Sequence, residues 1–240
     1  MAPASIVLYD IPTKDPQRCW SFNLWKTRLL LNFKGLDYTT EWVEYPDIRP
    51  LLEKHLPGEE EYTLPSIHLL QDDTYIMDSL KIARHIESIH PEPSLYPDSP
   101  LSGRLWQHLR GVLIAIQPIH IHLIGTRLLS EKSTPYFFKT RKADIGKSTA
   151  EWYQEHEGTA WKKSTPHFSA ITALLKETEG PFFMGGIVSY VDFIWAAVLL
   201  FFQTLGDDVF SNVLKASGDD GLSFKALLEA VQPWSARNDF

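Results

Sequence analysis

Four prolines fall within the eleven residues HPEPSLYPDSP (90–100), and the character of the chain changes across them. A stretch so rich in proline can neither continue a helix nor join the middle of a sheet, so it makes a stiff connection between two differently built parts. Upstream, SIVLY (5–9) is short, β-branched and apolar, as a buried strand requires. From Ser21, apolar Phe22, Trp25, Leu29 and Phe33 recur at helical spacing, and Gly35 stands where such a helix stops. YTTEWVEY (38–45) reads as a strand, and PDIRPLLEKHL (46–56) as a short proline-interrupted helix or turn. SIHLL (66–70) and TYIM (74–77) read as strands joined by a tight turn at Asp72–Asp73. A helix opens at Asp78, with Ile82, Ala83, Ile86 and Ile89 on one face.

The upstream part is therefore β-α-β-α-β-β-α. Downstream, residues 101–129, 135–157, 165–177, 191–205 and 208–217 all pattern as helices, and Pro118 is expected to kink the first. The expected organisation is an α/β domain over 1–90, a linker over 91–100 and an all-α domain over 101–240.

Composition narrows the function classes. The chain is 44% hydrophobic and 22% charged, which supports two packed cores. Its net charge of −7 argues against a nucleic-acid partner, which needs clustered Lys and Arg. A single cysteine excludes an internal disulfide framework and suits a reducing compartment. MAPASIVLYD carries no basic, apolar leader pattern, and the apolar run 193–202 is much shorter than the roughly 20 residues of a spanning helix. The expectation is a soluble, cytosolic protein with no membrane partner.

Three stretches carry chemistry. In TLPSI, a cis Leu64–Pro65 bond would hold the Leu64 amide and carbonyl outward, free to pair with an extended peptide; a trans proline at a strand start is the other reading. In MDSLKIA, Asp78 and Ser79 open a helix. Both residue types are favoured caps, and the same helix end can receive a carboxylate while Asp78 attracts an ammonium. In GGIVSYVDFIWAAVLLF, Ser189 and Asp192 have capping-box spacing, with Val188 and Phe193 at the staple positions. That last feature is structural.

Taken in order, these residues resemble the cytosolic glutathione transferases. The α/β unit has its proline before the third strand and DS at its last helix. It is followed by a proline-rich linker and a helical domain bearing Ser-x-x-Asp. Within that superfamily, CWSFNLWKTRLLLNFKGLDYTTEWVEYPDI and YTLPSIHL…MDSLKIARHIE are similar to the fungal serine-type class related to bacterial lignin β-etherases. One departure stands out: the residue after the serine is usually proline, and here it is Phe22.

The resemblance implies a thioredoxin-like domain holding glutathione and a helical domain supplying an apolar electrophile pocket. It implies Ser21 and Asn23 as catalytic residues and glutathione as co-substrate, in a homodimer without a metal. Leu64 and Pro65 would hold the cysteinyl backbone, Asp78 and Ser79 the γ-glutamyl end, and Lys54 or His55 the glycine carboxylate. The reactions open to it are conjugation, peroxide reduction and β-ether cleavage, in detoxification or in lignin or polyphenol metabolism.

Physical chemistry gives Ser21 a task. A free thiol with a pKa near 8.5 is only about 3% thiolate at pH 7. A hydroxyl donating to sulfur, beside a helix N-terminus, lowers that pKa. The plain alternative is that Ser21 only caps the helix. Two other functions stay open: a non-catalytic carrier of aromatic or phenolic compounds, and a thiol reductase using Cys19. Cys19 precedes the helix and lacks a second cysteine, so packing beside Trp20 is its simpler role. His120 and His122, two apart on a helix, face different ways and predict no metal site. The 136–138 and 152–153 aromatics read mainly as core, 139–142 as an exposed basic helix face, and 59–61 as a solvated loop.

Overall fold

A computed structural model describes residues 5–239. Four strands, β1 (Ile6–Asp10), β2 (Tyr38–Trp42), β3 (Ser66–Leu69) and β4 (Thr74–Met77), form one sheet in the order β2-β1-β3-β4. β1 runs parallel to β2 and antiparallel to β3, and β3 pairs antiparallel with β4. Leu8 lies opposite Ile67, and both are fully buried. Three helices accompany the sheet: α1 (Phe22–Phe33), α2 (Ile48–Leu52) and α3 (Ser79–Ile89). This is a thioredoxin-like α/β unit.

A helical part follows: α4 (Leu101–Ala115), α5 (Gln117–Leu123), α6 (Ser133–Ile145), α7 (Thr149–Leu175), α8 (Tyr190–Leu205), α9 (Asp207–Ala216) and α10 (Leu222–Ser235). The expected kink is present: the chain bends 65° between α4 and the helical stretch from Gln117 to Leu128. Pro118 sits in the first turn of α5, where its missing N–H costs nothing. The last turn, Ile124–Leu128, winds as a π-helix.

Three expectations are corrected. The helix expected over 135–157 is broken at Gly146, whose φ of +82° ends α6. Ser148 then restarts it with a capping box: its hydroxyl accepts the Glu151 N–H at 3.2 Å, and the Glu151 carboxylate accepts the Ser148 N–H at 2.9 Å. No break follows near 160. α7 runs 27 residues through Gly158 and Pro166, because packing against α4, α5 and α9 outweighs local propensity. Finally, α10 was absent from the sequence pattern as read, although its buried Phe224, Leu227 and Val231 recur at helical spacing.

α8 is the centre of the molecule. Thirteen of its sixteen residues are buried, so it is apolar all round rather than amphipathic. Each large side chain such as Phe193 or Phe202, fully buried here, contributes roughly 1.5–3 kcal/mol relative to exposure. At its start, the fully buried Asp192 carboxylate accepts the Ser189 N–H, the Ser189 hydroxyl and the Phe183 N–H, each at 2.7 Å. Among the described residues, no single helix is long and apolar enough to cross a membrane.

α1 packs along α8 and joins the two parts. Its middle, from Leu24 to Leu31, is buried on every side rather than along the one stripe that the spacing suggests. Further links fix the junction. The Tyr190 hydroxyl donates to the Ser79 carbonyl at 3.0 Å, and the Asn32 amide donates to the Trp234 carbonyl at 2.6 Å. The Glu44 carboxylate accepts from both the Ser130 and Ser133 hydroxyls.

Candidate active site

A cleft of about 430 Å³ opens where the two parts meet. From the α/β side it is lined by Ser21, Asn23, Leu64, Arg49 and Tyr62, and from α6 by Tyr136, Thr140 and Arg141. Ser21 stands at the N-cap of α1, with φ −72° and ψ 132°, and its carbonyl accepts the Trp25 N–H at 2.9 Å. Its side chain, however, makes no capping hydrogen bond. The hydroxyl is left uncommitted among the described residues, and the first-turn N–H groups of α1 remain available to an anion. No acidic residue in that turn offsets their field.

Phe22 does not block this arrangement. Its ring meets Phe201 of α8 edge-on at 5.7 Å, and Trp20 meets the same ring at 6.2 Å. The side chain that replaces the usual proline therefore anchors the start of α1 to the core.

Cys19, two residues earlier, lies in a different environment. It is 2% exposed and is absent from the Ser21 cleft. Burial, with the neighbouring Asp10 carboxylate adding to it, pushes its thiol well above the ordinary range. Asp10 is itself fully buried, and the Arg28 Nε donates to it at 2.7 Å. A thiol that burial and a neighbouring carboxylate keep protonated is a poor nucleophile, which weighs against the reductase reading.

The Leu64–Pro65 bond is cis, and neither the Leu64 N–H nor its carbonyl has a partner among the described residues. The Pro65 carbonyl accepts the Asp78 N–H at 3.2 Å, which ties the two candidate segments together. Asp78 holds φ at +89°, a costly conformation for a non-glycine residue and one that collects at functional sites. Its Oδ1 accepts the Leu80 and Lys81 N–H groups at 2.9 and 3.0 Å. The capping role is therefore real, and Oδ2 accepts no hydrogen bond among the described residues.

Asp78 and Ser79 line a second cavity, of about 410 Å³, together with Lys26, Ser102, Trp106 and Tyr190. Sequence reasoning missed Lys26. It is 6% exposed, has no carboxylate within ion-pair distance among the described residues, and sits 5.8 Å from the Phe22 and Trp106 ring centres. Burial lowers its pKa to about 8, against the pull of Asp78. Its signal was available: a lysine inside a run of buried apolar positions must be answered by something.

Lys54 and His55 line neither cavity. Lys54 is exposed, and the His55 ring stacks on Tyr75 at 4.0 Å. The cation that α2 brings to the cleft is Arg49, 4.7 Å from the Tyr62 ring centre. The basic stretch 139–142 also differs from expectation, because Arg141 lines the cleft while pairing with Asp144 at 2.7 Å. The 136–138 aromatics divide: Tyr136 lines the cleft and Phe137 is core. Glu61, of the loop expected to be solvated, also lines the cleft. Burial raises the Tyr45 phenol to about 12, so it faces the cleft as a neutral group.

A thioredoxin-like α/β unit closed over by a helical unit is the two-domain architecture that the sequence resemblance implies. Residues 20–89 match the glutathione S-transferase N-terminal domain, and residues 107–234 match its C-terminal domain. The chain belongs to the glutathione S-transferase family and is an enzyme of that class. It is 29% identical to the glutathione S-transferase-like protein ustS of Aspergillus flavus, over 94% of this chain and 89% of that one. Among solved structures, it resembles the glutathione S-transferase CsGST63524 of Ceriporiopsis subvermispora, crystallised in complex with glutathione. That match has a TM-score of 0.86 and 29% identity, over 98% of this chain and all of that one. It also resembles the transferase GSTFuA3 of Phanerochaete chrysosporium, with a TM-score of 0.80 and 29% identity, over 96% and 97% of the two chains.

Proposed function

We propose that the chain is a cytosolic, homodimeric, serine-type glutathione transferase in which the Ser21 hydroxyl holds the glutathione sulfur as a thiolate. Residues 1–90 form the glutathione-binding half, 91–100 the link and 101–240 the substrate half. The observation that carries this reading is that Ser21 occupies the N-cap without using its side chain as a cap, and lines the interdomain cleft. One hydroxyl donating to a thiolate contributes roughly 1.5–3 kcal/mol, enough to lower the thiol pKa by about one to two units. The α1 N-terminus acts in the same direction, and Asn23, on the same cleft wall, is the second donor.

The tripeptide lies along Leu64–Pro65, where the Leu64 N–H and carbonyl, unpaired among the described residues, meet its cysteinyl backbone. Its γ-glutamyl ammonium faces Asp78. Its α-carboxylate meets Ser79 and the otherwise unanswered Lys26. Arg49 takes the glycine carboxylate in place of Lys54 or His55. The thiolate then attacks an apolar electrophile held against Tyr45, Tyr62 and Tyr136. A C–S bond forms, and the leaving group departs with its electron pair.

The test is the pKa of the bound thiol, read from thiolate ultraviolet absorbance in the wild type and in the Ser21→Ala variant. A rise of at least about one unit on substitution is expected. An unchanged bound-thiol pKa would remove Ser21 from the mechanism.

A further inference from the structure

Three side chains of α6 line the Ser21 cleft: Tyr136, Thr140 and Arg141. All three are polar, a phenol, a hydroxyl and a guanidinium, on the wall where an apolar pocket was expected. Among the described residues, Arg141 is the one charged group that α6 brings to the cleft. Its neighbours in the basic stretch, Lys139 and Lys142, are exposed and line no part of it.

Arg141 is held in place by what it packs on. Its guanidinium carbon lies 5.2 Å from the centre of the Phe137 ring, one helical turn back, and that ring meets the Tyr45 ring at 5.4 Å. Tyr45 belongs to the α/β part, so the stack ties the two walls of the cleft together. The Arg141 charge reaches across it, lowering the Tyr45 phenol against the rise that burial causes. The head of α6 is fastened to the same segment. The Ser133 hydroxyl accepts the Tyr45 N–H at 2.9 Å, and Lys132 pairs with Asp47. Among the described residues, Arg141 forms its hydrogen bond to Asp144 through Nη1 alone, at 2.7 Å. The two are three apart on one helix and partly solvated, and such pairs are weak. A guanidinium has five N–H donors, so it can keep Asp144 and still receive a second anion.

The balance of charge in the site is the decisive observation. Glutathione brings two carboxylates and one ammonium. In the reading above, Lys26 and Arg49 answer the carboxylates and Asp78 the ammonium. Arg141 is a third cation, on the opposite wall. The carboxylate among the residues lining this cleft is Glu61, which stands beside Arg49. Its two chain neighbours both touch that arginine: the Glu60 carbonyl accepts from Nη2 at 3.1 Å, and the Tyr62 ring centre is 4.7 Å from the guanidinium. An uncharged electrophile would take water from Arg141 and return nothing for it. A carboxylate would form a charge-assisted, planar pair.

We propose that the second substrate is an electrophile bearing a carboxylate, and that Arg141 selects it. The proposal rests on the reading of the Ser21 cleft as the glutathione site. The apolar body of the substrate lies against Tyr45 and Tyr136, its carboxylate meets Arg141, and its reacting carbon faces the sulfur. With an α,β-unsaturated ketone, the thiolate sulfur forms a C–S bond to the β-carbon. The C=C electron pair moves to the carbonyl oxygen, and the enolate takes a proton from water at the α-carbon. No group leaves, and the addition is redox-neutral.

The probes are the preformed glutathione adducts of ethacrynic acid and of its methyl ester, which differ at the carboxylate alone. Their binding is measured by calorimetry to the wild type and to Arg141→Gln, with S-methylglutathione as the reference. The wild type should bind the acid adduct at least about tenfold more tightly than the ester adduct. Arg141→Gln should bring the two within about twofold of each other while S-methylglutathione stays within about twofold of its wild-type affinity. Adducts that bind the wild type equally, or not at all, overturn the proposal, and that arm needs no variant. So does an Arg141→Gln variant that keeps the preference. One that weakens S-methylglutathione as much as the acid adduct also overturns it, because Arg141 would then hold the glycine carboxylate. The adducts carry no free thiol, so a failure of Ser21 to set the thiol pKa would leave this comparison intact.

Discussion

Cys19 and Ser21 are separated by one residue, yet they belong to different chemical worlds. Cys19 turns inward, beside Asp10 and Arg28, where burial and a carboxylate keep its thiol protonated. Ser21 stands at a cleft with its hydroxyl unclaimed among the described residues. The more reactive residue type has been made inert, and the weaker one has been given the position. Under the proposed mechanism, placement relative to a helix end and a cavity decides reactivity, ahead of intrinsic nucleophilicity.

The hardest way to break this contrast is to remove what holds the Cys19 side. Asp10→Asn leaves Arg28 buried and charged without its partner, so it should cost roughly 3–5 kcal/mol, measured by urea denaturation. A loss below about 1 kcal/mol would mean that the pair is not a structural anchor. Next in size, Ser21→Ala should lower kcat/KM with an aryl electrophile by about 10- to 100-fold, while the affinity for glutathione by calorimetry stays within a few-fold. Equal losses in both would make Ser21 a binding residue only.

A smaller effect concerns pH. Lys26 is held neutral more readily than an ordinary lysine, with a pKa of about 8. Its folded value lies below its unfolded one, so it is cationic in the folded protein only below about 8. Affinity for S-methylglutathione, which has no thiol to ionise, should therefore fall as pH rises through that value. Lys26→Met should flatten the profile. A wild-type profile that is flat from pH 6 to pH 9 would remove Lys26 from the site. The smallest change is expected from Cys19→Ala, which should leave kcat/KM within about twofold, since the buried thiol takes no part. A large activity loss with the fold intact would reverse the contrast altogether.

The sequence disclosed the frame of this protein better than its detail. Strand and helix periodicity up to Ile89 announced the α/β unit, and the proline-rich stretch announced the change to helices. Pairings such as Ser189 with Asp192 are legible because capping is a local event, settled within one helical turn. Helix ends fared worse. The chain passes through Pro166 without breaking, because neighbouring helices arbitrate what propensity leaves open, while α6 stops at Gly146, a local left-handed glycine cap that the helical periodicity around it masks. Among the candidate site residues, Ser21, Asn23 and Leu64 do line one cleft, and Asp78 and Ser79 line the adjacent cavity. Lys54 and His55 line neither, because the direction of a side chain near a five-residue helix is set by what it packs on.

By itself, then, the sequence determined what local forces decide: the order of strands and helices up to Ile89, the caps at Asp78 and Ser189, and the serine at the head of α1. Only the tertiary structure decided that Ser21 and not Cys19 lines the interdomain cleft, that Lys26 is buried, and that Arg49 and Arg141 reach the cleft. Those outcomes depend on burial and on charges brought together from distant segments, such as Asp10 with Arg28 or Lys26 with Asp78. Desolvation and Coulomb interactions act through space rather than along the chain, so the order of residues does not display them.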